Sequence, residues 1–194
     1  MLSGKHVLFI APNFFGYEKE IAAELTNRGA DVDFVSASPF KSVVLKAVTR
    51  LKRIWVVPFL EKYYQTKISS FGKKKYDYIF VLKGEALSEN LLISLKEKYS
   101  TATFILYLWD SLENNVSLER NIKLFDRCFS FDRVDVKKYG LNYRPLFFGN
   151  GFERRPMQQF KFALSFIGTV HSDRYSVVSR TLSMLPAHLV SYSY

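Results

Sequence analysis

Short apolar runs alternate along the chain with segments in which apolar residues recur every three or four positions. The runs are rich in Val, Ile, Phe and Tyr, which is typical of strands buried on both faces of a sheet. Six runs predict strands at His6–Pro12, Asp31–Ser38, Tyr76–Gly84, Thr103–Asp110, Arg127–Asp132 and Tyr143–Phe148. The intervening segments have helical spacing and therefore predict that strands and helices alternate.

Local signals place the helices. One helix follows the first strand and ends at Gly29, and another is capped by Ser88 and buries Leu91, Leu92 and Leu95. A long helical stretch carries Val44, Val48 and Leu51 on one face and is interrupted or restarted at Pro58; later helices carry Leu118, Ile122 and Phe125, or end at Gly140. This alternation predicts an α/β fold with a parallel sheet flanked by helices, because each strand must return through a helical crossover.

The composition changes after Gly151. Residues 152–161 are charged and polar and predict a linker. A strand, a helix with Tyr175, Val178 and Leu182 at helical spacing, and a second strand then follow within residues 162–194, which is one β-α-β unit. So short a unit cannot bury a core of its own, so we expect it to dock on the first domain, on another chain, or within a larger domain.

The composition indicates a globular protein, because 48% of its 194 residues are hydrophobic and 16% aromatic. The apolar run Ile54–Leu60 is far shorter than the ~20 residues of a membrane-spanning helix, and the N-terminus lacks the pattern of a signal peptide. Cys128 has no second cysteine with which to pair, which is typical of a reducing compartment. The sequence therefore predicts a cytoplasmic protein.

Most of the net charge of +10 is concentrated between Lys41 and Lys75. That segment contains ten Lys or Arg residues and one acid, Glu61, giving a local charge of +9. It predicts a phosphate-rich partner, either nucleic acid, an anionic membrane or a phosphorylated ligand.

Polar and aromatic residues follow the predicted strands where each strand ends. In parallel sheets ligands bind at the carboxyl ends of the strands, so we expect these residues to gather along one rim. The candidates are Asn13, Phe14 and Gly16 after the first strand, Lys83, Gly84 and Glu85 after the third, Trp109, Asp110 and Ser111 after the fourth, and Asp132 after the fifth. Structural alternatives stay open: Asp110 or Ser111 as a helix cap, Lys83 and Glu85 as a surface pair, Trp109 in the core, and Phe14 and Phe15 as loop packing.

Motifs for metal or phosphate chemistry are weak. Asp31 and Asp33 form an Asp-X-Asp pair, but it begins a strand and so lies at the opposite edge from the rim. The three histidines lack zinc spacing, no Walker A loop or nucleophile elbow is present, and Gly149–Gly151 is interpreted as a turn. We therefore expect no metal site and no bound cofactor.

Four segments carry a family resemblance: YDYIFVLKGEALSENLLISLKEKY, FILYLWDSLENN, FDRCFSFDRVDVKKYGLNYRPLFF and LSFIGTVHSDRY. They resemble bacterial spore-maturation-protein-like and capsular or lipopolysaccharide glycosyltransferases of the GT-B type, from about Lys5 to Tyr175. The resemblance implies a Rossmann-like acceptor-side domain over residues 1–151 and the start of an incomplete nucleotide-sugar-binding domain over residues 162–194. The motifs KGE and LWDS would line the acceptor side, and Gly168, Thr169 and His171 would form the first donor-side loop.

The resemblance also implies an activity, namely transfer of a sugar from a nucleotide-sugar co-substrate to a cell-surface polysaccharide or lipid-linked oligosaccharide. If the reaction inverts the configuration at the anomeric carbon, Asp110 or Glu85 is the expected general base. Family members continue well beyond FIGT, so the resemblance implies that the later donor contacts lie outside this sequence and that a second subunit could complete the donor domain. The alternative is a non-catalytic, truncated acceptor-binding module that docks on a separate donor subunit, or a degraded remnant. With a lipid-carried acceptor, segment 41–75 is expected to bind the inner face of an anionic membrane rather than nucleic acid.

Overall fold

The computed structural model describes residues 2–37, 53–114, 116–149, 162, 164–168, 173–186 and 190–193. The chain divides into two compact units, Met1–Phe152 and Glu153–Tyr194. Each unit contains a parallel sheet of its own.

Unit 1 has a six-stranded parallel sheet in the order β2-β1-β3-β4-β5-β6. The strands are β1 (His6–Ala11), β2 (Asp31–Ser36), β3 (Tyr78–Leu82), β4 (Thr103–Leu108), β5 (Arg127–Ser130) and β6 (Asn142–Tyr143). The helices are α1 (Tyr17–Asn27), α2 (Arg53–Ser69), α3 (Glu89–Lys98), a 3-10 turn (Leu112–Asn114), α4 (Val116–Ile122) and α5 (Arg133–Tyr139). The predicted Rossmann-like α/β fold is confirmed.

Local signals explain where two of the helices begin or end. The Ser88 hydroxyl accepts a hydrogen bond from the Leu91 N–H at 3.1 Å, which caps α3 as predicted. Helix α5 ends at Gly140, whose left-handed φ of 65° carries no Cβ penalty. The sequence alone therefore predicts where α3 begins and where α5 ends.

Two predicted elements differ from the structure. Helix α2 neither breaks nor begins at Pro58 but contains it. A proline in the early turns of a helix forgoes one hydrogen bond, and the rest of the helix can continue past it. The sixth strand is only two residues long, because Pro145 has no N–H to donate to a sheet and the chain leaves β5 after Arg144.

Apolar side chains fill both faces of this sheet. One face packs against α2, α3 and α4 and includes Leu8, Ile79, Phe104 and Leu106, each almost fully buried. The other face carries Val7, Phe9 and Tyr107 and packs against Ile21, Ala22 and Leu25 of α1. Because both faces of the sheet are buried, its strands appear in the sequence as unbroken apolar runs.

The strand order places two loops side by side. Strand β1 pairs with β2 on one side and with β3 on the other, so the connections run in opposite directions from β1. The crevice at such a switch point is where open α/β sheets bind ligands. In this sheet it lies between the loops that follow Ala11 and Leu82.

Unit 2 consists of β7 (Leu164–Ile167), α6 (Arg174–Leu182) and β8 (Val190–Ser193), with β7 and β8 parallel. This is the predicted β-α-β unit. Val178 is buried, whereas Ile167 and Tyr175 are exposed. The predicted linker, the 41–52 part of the basic stretch with Val44, Val48 and Leu51, and the last two residues of the predicted turn, Asn150 and Gly151, lie outside the described residues.

Among the described residues, no helix has both the length and the apolar character needed to cross a membrane.

Candidate functional site at the carboxyl edge of the sheet

An ion-paired cluster links the ends of β3 and β4. The Lys83 ammonium lies 2.7 Å from Asp110 Oδ2 and 3.2 Å from Glu85 Oε1. All three side chains are partly exposed, with 31%, 47% and 42% of the Lys83, Asp110 and Glu85 side chains accessible. We call these three residues the rim charge cluster. A cation and two solvent-facing carboxylates can therefore reach one ligand.

The turn after β3 positions this cluster through unusual backbone geometry. Lys83 and Gly84 both have left-handed φ angles, 68° and 72°. The Lys83 N–H donates to the Tyr107 carbonyl at 3.0 Å, which ties the turn to β4. A non-glycine residue in this conformation carries strain that the surrounding structure must hold, and such residues concentrate at binding and catalytic sites.

Gly84 is required by packing as well as by conformation. A Cβ at this position would lie 3.0 Å from Leu106 Cδ1 and 3.1 Å from Leu118 Cδ1. The turn therefore sits directly on the core, and its position relative to β4 is set by buried side chains. Its predicted role in substrate binding remains a prediction, and the observed role is to let the turn pack.

Electrostatics keep the Lys83 ammonium charged. Burial by itself lowers the pKa of Lys83, but the hydrogen bond to Asp110 and the attraction of the Glu85 and Asp110 carboxylates outweigh it, so the pKa is raised above its usual value. Lys83 is thus a permanent positive charge between two carboxylates at physiological pH.

The loop after β1 is held by a buried carboxylate. Glu18 is 5% exposed, and its Oε2 accepts a hydrogen bond from the Phe14 N–H at 3.1 Å. Phe15 and Gly16 then adopt left-handed φ angles of 52° and 84°, which turn the chain into α1. Asn13 is exposed on the same loop. Glu18 was not predicted, because its sequence context is that of an ordinary first-turn acid.

Five aromatic side chains lie together at this edge: Phe14, Phe15, Tyr17, Trp109 and Phe147, which we call the rim aromatic cluster. The Trp109 ring centroid is 5.8 Å from that of Phe14 and 6.1 Å from that of Phe147. Phe14 is 49% exposed and Phe15 86%. Because Trp109 precedes Asp110, an exposed aromatic surface adjoins the rim charge cluster.

Phe147 and Tyr17 were missed from the sequence. Phe147 follows the short β6, so it belongs to the carboxyl end of one more strand, and the same rim rule could have found it. Tyr17 is the first residue of α1, and its ring packs edge-on against Phe147 at 5.6 Å.

Ser111 and Asp132 are brought together in a structural network. The Ser111 hydroxyl donates to Asp132 Oδ2, and Asp132 Oδ1 accepts from the Val134 N–H at 2.8 Å, which caps α5. The Ser111 hydroxyl and the Val134 N–H lower the pKa of Asp132. Buried Asp135 accepts from the Leu112 N–H at 2.8 Å, so α5 also holds the loop that carries Asp110.

The Asp31 and Asp33 pair lies at the start of β2, at the opposite edge from the rim, as predicted. Lys74 lies 3.3 Å from Asp31 and 3.0 Å from Asp33, and the Tyr76 hydroxyl donates to Asp33 at 2.8 Å. His6 Nδ1 is 2.9 Å from Asp31. In the part of the chain that the structure describes, no group of His, Cys, Asp and Glu side chains could hold a metal ion.

The described part of the basic segment remains largely uncompensated. Lys62, Lys67, Lys73 and Lys75 are exposed on or just after α2, whereas Lys74 is paired with the two aspartates. Lys41, Lys46, Arg50 and Lys52 lie outside the described residues, as do Thr169 and His171 of the predicted donor-side loop; Gly168 directly follows β7.

Comparison with family models, with curated proteins and with solved structures finds no match for this chain. A proposal about function therefore has to start from the geometry of the rim.

Proposed function

We propose that unit 1 binds a saccharide acceptor at the carboxyl edge of its sheet and that the protein takes part in glycosyl transfer from a nucleotide sugar. The observation that supports this most is the rim charge cluster next to the rim aromatic cluster, at the carboxyl edge of the sheet beside the switch point between β1 and β3. The motifs KGE and LWDS, which carry the resemblance to GT-B glycosyltransferases, contain these same rim residues.

The two clusters match the two surfaces of a sugar ring. A pyranose presents C–H groups on its faces and hydroxyls around its edge. The C–H groups can lie against the electron-rich faces of Trp109 and Phe14, while the hydroxyls bond to the charged side chains beside them. Ligand sites typically combine such an apolar surface with a few convergent polar groups.

The rim charge cluster supplies a general base and its positioning cation. Either Asp110 or Glu85 would accept the proton of the acceptor hydroxyl as that oxygen bonds to the anomeric carbon of the donor. The bond from the anomeric carbon to the leaving phosphate oxygen breaks at the same centre, and a nucleoside diphosphate departs. Lys83 contacts both carboxylates and so can hold either one while the other accepts the proton.

The donor would bind to unit 2, beginning at the predicted donor-side segment of Gly168, Thr169 and His171, of which Gly168 directly follows β7. A nucleotide sugar carries a diphosphate, whose departure needs N–H groups or cations held in place. We propose that a second subunit completes this side, because the described strands and helix of unit 2 leave Ile167 87% exposed.

We place the reaction in the cytoplasm, at the inner face of a membrane. Cys128 is a free, buried thiol, which suits a reducing compartment. Exposed Lys62, Lys67, Lys73 and Lys75 suit anionic headgroups, each nearby lysine contributing about 1 kcal/mol. Nucleic acid is a weaker candidate for the same surface.

Acceptor binding tests the proposal directly. Saturation-transfer NMR of the purified chain with a panel of neutral and acidic oligosaccharides should show contact for at least one of them. Trp109→Ala should abolish the transfer signal, whereas Phe59→Ala, the same kind of aromatic-to-alanine change at a 55% exposed residue on α2, should leave it unchanged. Absence of contact for every saccharide, or equal loss in both variants, would count against a saccharide site at the rim.

The alternative function is a non-catalytic acceptor-binding or docking module. Calorimetric titration with uridine, guanosine and thymidine diphosphate sugars separates the two. A module alone should show no donor affinity tighter than millimolar, about −4 kcal/mol, and no nucleotide release. Micromolar affinity or steady release by the purified chain would show that it contains a complete transferase site.

A further inference from the structure

An apolar groove runs along the second face of the unit 1 sheet. Its volume is about 430 Å³. Its floor includes Phe80 of β3, Ile105 of β4 and Phe129 of β5, all half-buried, and its wall includes Ile21 and Leu25 of α1. Among the described helices, α1 is the one packed on this face. An apolar surface of this kind lowers its free energy when an apolar ligand excludes water from it.

A cation, Arg144, lines the groove at the carboxyl edge of the sheet. The residue is exposed and directly follows β6. Its backbone is fixed, because the Arg144 N–H donates to the Ser130 carbonyl at 2.9 Å and the Tyr107 hydroxyl donates to the Pro145 carbonyl at 2.8 Å. Within the described chain no carboxylate lies within ion-pair distance of Arg144.

The groove leads into the rim aromatic cluster. Phe147 lines the groove, and its ring centroid is 6.4 Å from that of Tyr107 and 6.1 Å from that of Trp109. Trp109 is in turn followed by Asp110 of the rim charge cluster. The apolar groove is thus followed by Arg144, then by the rim aromatic cluster, and then by the carboxylates of the rim charge cluster.

The length and the charge of the groove favour a single-chain lipid phosphate as the occupant. Tyr78 and Leu82, at the two ends of β3, both line the groove, and four strand steps of about 3.3 Å span about 13 Å, which an extended hydrocarbon chain can follow. Arg144, which lines the same groove, complements an anionic head at the end of that chain.

We infer that this groove binds the hydrocarbon chain of a single-chain lipid phosphate, with the phosphate or diphosphate on Arg144. The inference rests on the proposed function and narrows it: the acceptor is a saccharide linked through phosphate to a lipid, its chain along β3 and β4 and its sugar at the rim. A guanidinium binds phosphate oxygens through paired hydrogen bonds, so the head would be fixed at the mouth of the groove.

Calorimetric titration with dodecyl phosphate, below its micelle concentration and at physiological salt, tests the site. Dodecyl phosphate should bind at least tenfold more tightly than dodecyltrimethylammonium or inorganic phosphate. Arg144→Gln should remove that preference, whereas Arg120→Gln, the same change at an exposed arginine on α4, should keep it. Ile105→Trp, which fills the groove, should weaken dodecyl phosphate binding at least tenfold.

A nitroxide-labelled dodecyl phosphate gives a measurement that needs no variant. It should broaden the amide resonances of Ile105 and Phe129 and spare those of Leu92, which is buried on the opposite face. Equal affinity for the cationic and the anionic amphiphile, binding of inorganic phosphate alone, or broadening confined to segment 62–75 would overturn the inference. So would a stable dimer whose interface protects Ile105 and Phe129.

Different results would refute the lipid groove and the saccharide site at the rim. Oligosaccharide binding at the rim without dodecyl phosphate binding would refute the lipid groove and leave glycosyl transfer standing. Arg144-dependent binding of dodecyl phosphate without saccharide binding would refute the rim proposal and leave an amphiphile site.

Discussion

The Lys83 ammonium lies 2.7 Å from Asp110 Oδ2, joining two residues that follow the neighbouring strands β3 and β4. The pair is about one-third to one-half exposed, so its contribution to stability is small. The main effect of the ion pair is to fix the position of the Asp110 carboxylate beside Trp109. The same lysine reaches Glu85, so removing one carboxylate leaves the cation paired.

Neutralising one carboxylate should therefore affect binding more than folding. Asp110→Asn and Glu85→Gln are each expected to weaken binding of a responsive saccharide about tenfold, the loss of one charge-assisted hydrogen bond of about 1.5 kcal/mol. Glu113→Gln, at an exposed acid in the following 3-10 turn, is the matched control and should bind normally. Titration calorimetry measures the saccharide affinity of each variant, and thermal melts measure its stability. A large drop in melting temperature with unchanged affinity would assign Asp110 and Glu85 a structural role.

Gly84→Ala should destabilise unit 1 by about 2–4 kcal/mol. The substitution combines a left-handed backbone, costing about 1–2 kcal/mol, with contacts of 3.0 Å to Leu106 and 3.1 Å to Leu118 that overpack the core. Gly72→Ala isolates the backbone cost, since Gly72 has a φ of 80° and nothing within 4 Å of its Cβ position. Urea denaturation measures both. Equal losses for the two variants would show that the core yields around Gly84 without cost.

Acid should weaken the link between β4 and β5. Burial by itself raises the pKa of Asp126, but the Phe104 N–H at 2.7 Å and the Lys96 ammonium at 3.0 Å outweigh it, so the folded pKa is below the ordinary value. A carboxyl with a lowered folded pKa stabilises the protein above its unfolded pKa, about 3.9, and that contribution disappears as pH falls through the folded pKa.

The corresponding measurement is the free energy of unfolding at pH 7, 4 and 3. Asp126→Asn should be less stable than the natural chain at pH 7, and the difference should shrink below pH 4. Glu97→Gln, the same carboxyl-to-amide change at an exposed acid on α3, serves as control for the substitution itself. A difference between Asp126→Asn and the natural chain that stays constant from pH 7 to pH 3 would show that Asp126 does not link folding to protonation.

Cys128 should be unreactive in the folded protein. Burial first, and the nearby Asp126 carboxylate second, raise the pKa of its thiol to about 11. The thiolate is the reactive form, so a rise of about two units lowers its population about 100-fold near pH 8. Alkylation by iodoacetamide should be at least that much slower in buffer than in denaturing urea. Similar rates in both would mean that β5 opens readily.

Much of the fold follows from the sequence, because the signals that define it are local. The apolar runs at β1, β3 and β4, the Ser88 cap and the Gly140 stop depend on residues a few positions apart. The carboxyl-edge rule then gathers Lys83, Glu85, Trp109 and Asp110 on one rim, since parallel strands end on the same side. The α/β class, the position of Asp31 and Asp33 at the far edge, and the β-α-β character of unit 2 were all predictable on these grounds.

Only the tertiary structure decided which rim residues touch. The ion pairs of Lys83, the burial of Glu18 against the Phe14 N–H, and the use of Asp132 as a cap for α5 depend on strand order and on side-chain packing between distant segments. The contact of Phe147 with Trp109 depends further on Pro145 ending β6 early, and the groove with Arg144 at its mouth depends on which helices cover each face. Periodicity cannot report these relationships, because it shows which side of an element is apolar but not what comes to lie against it.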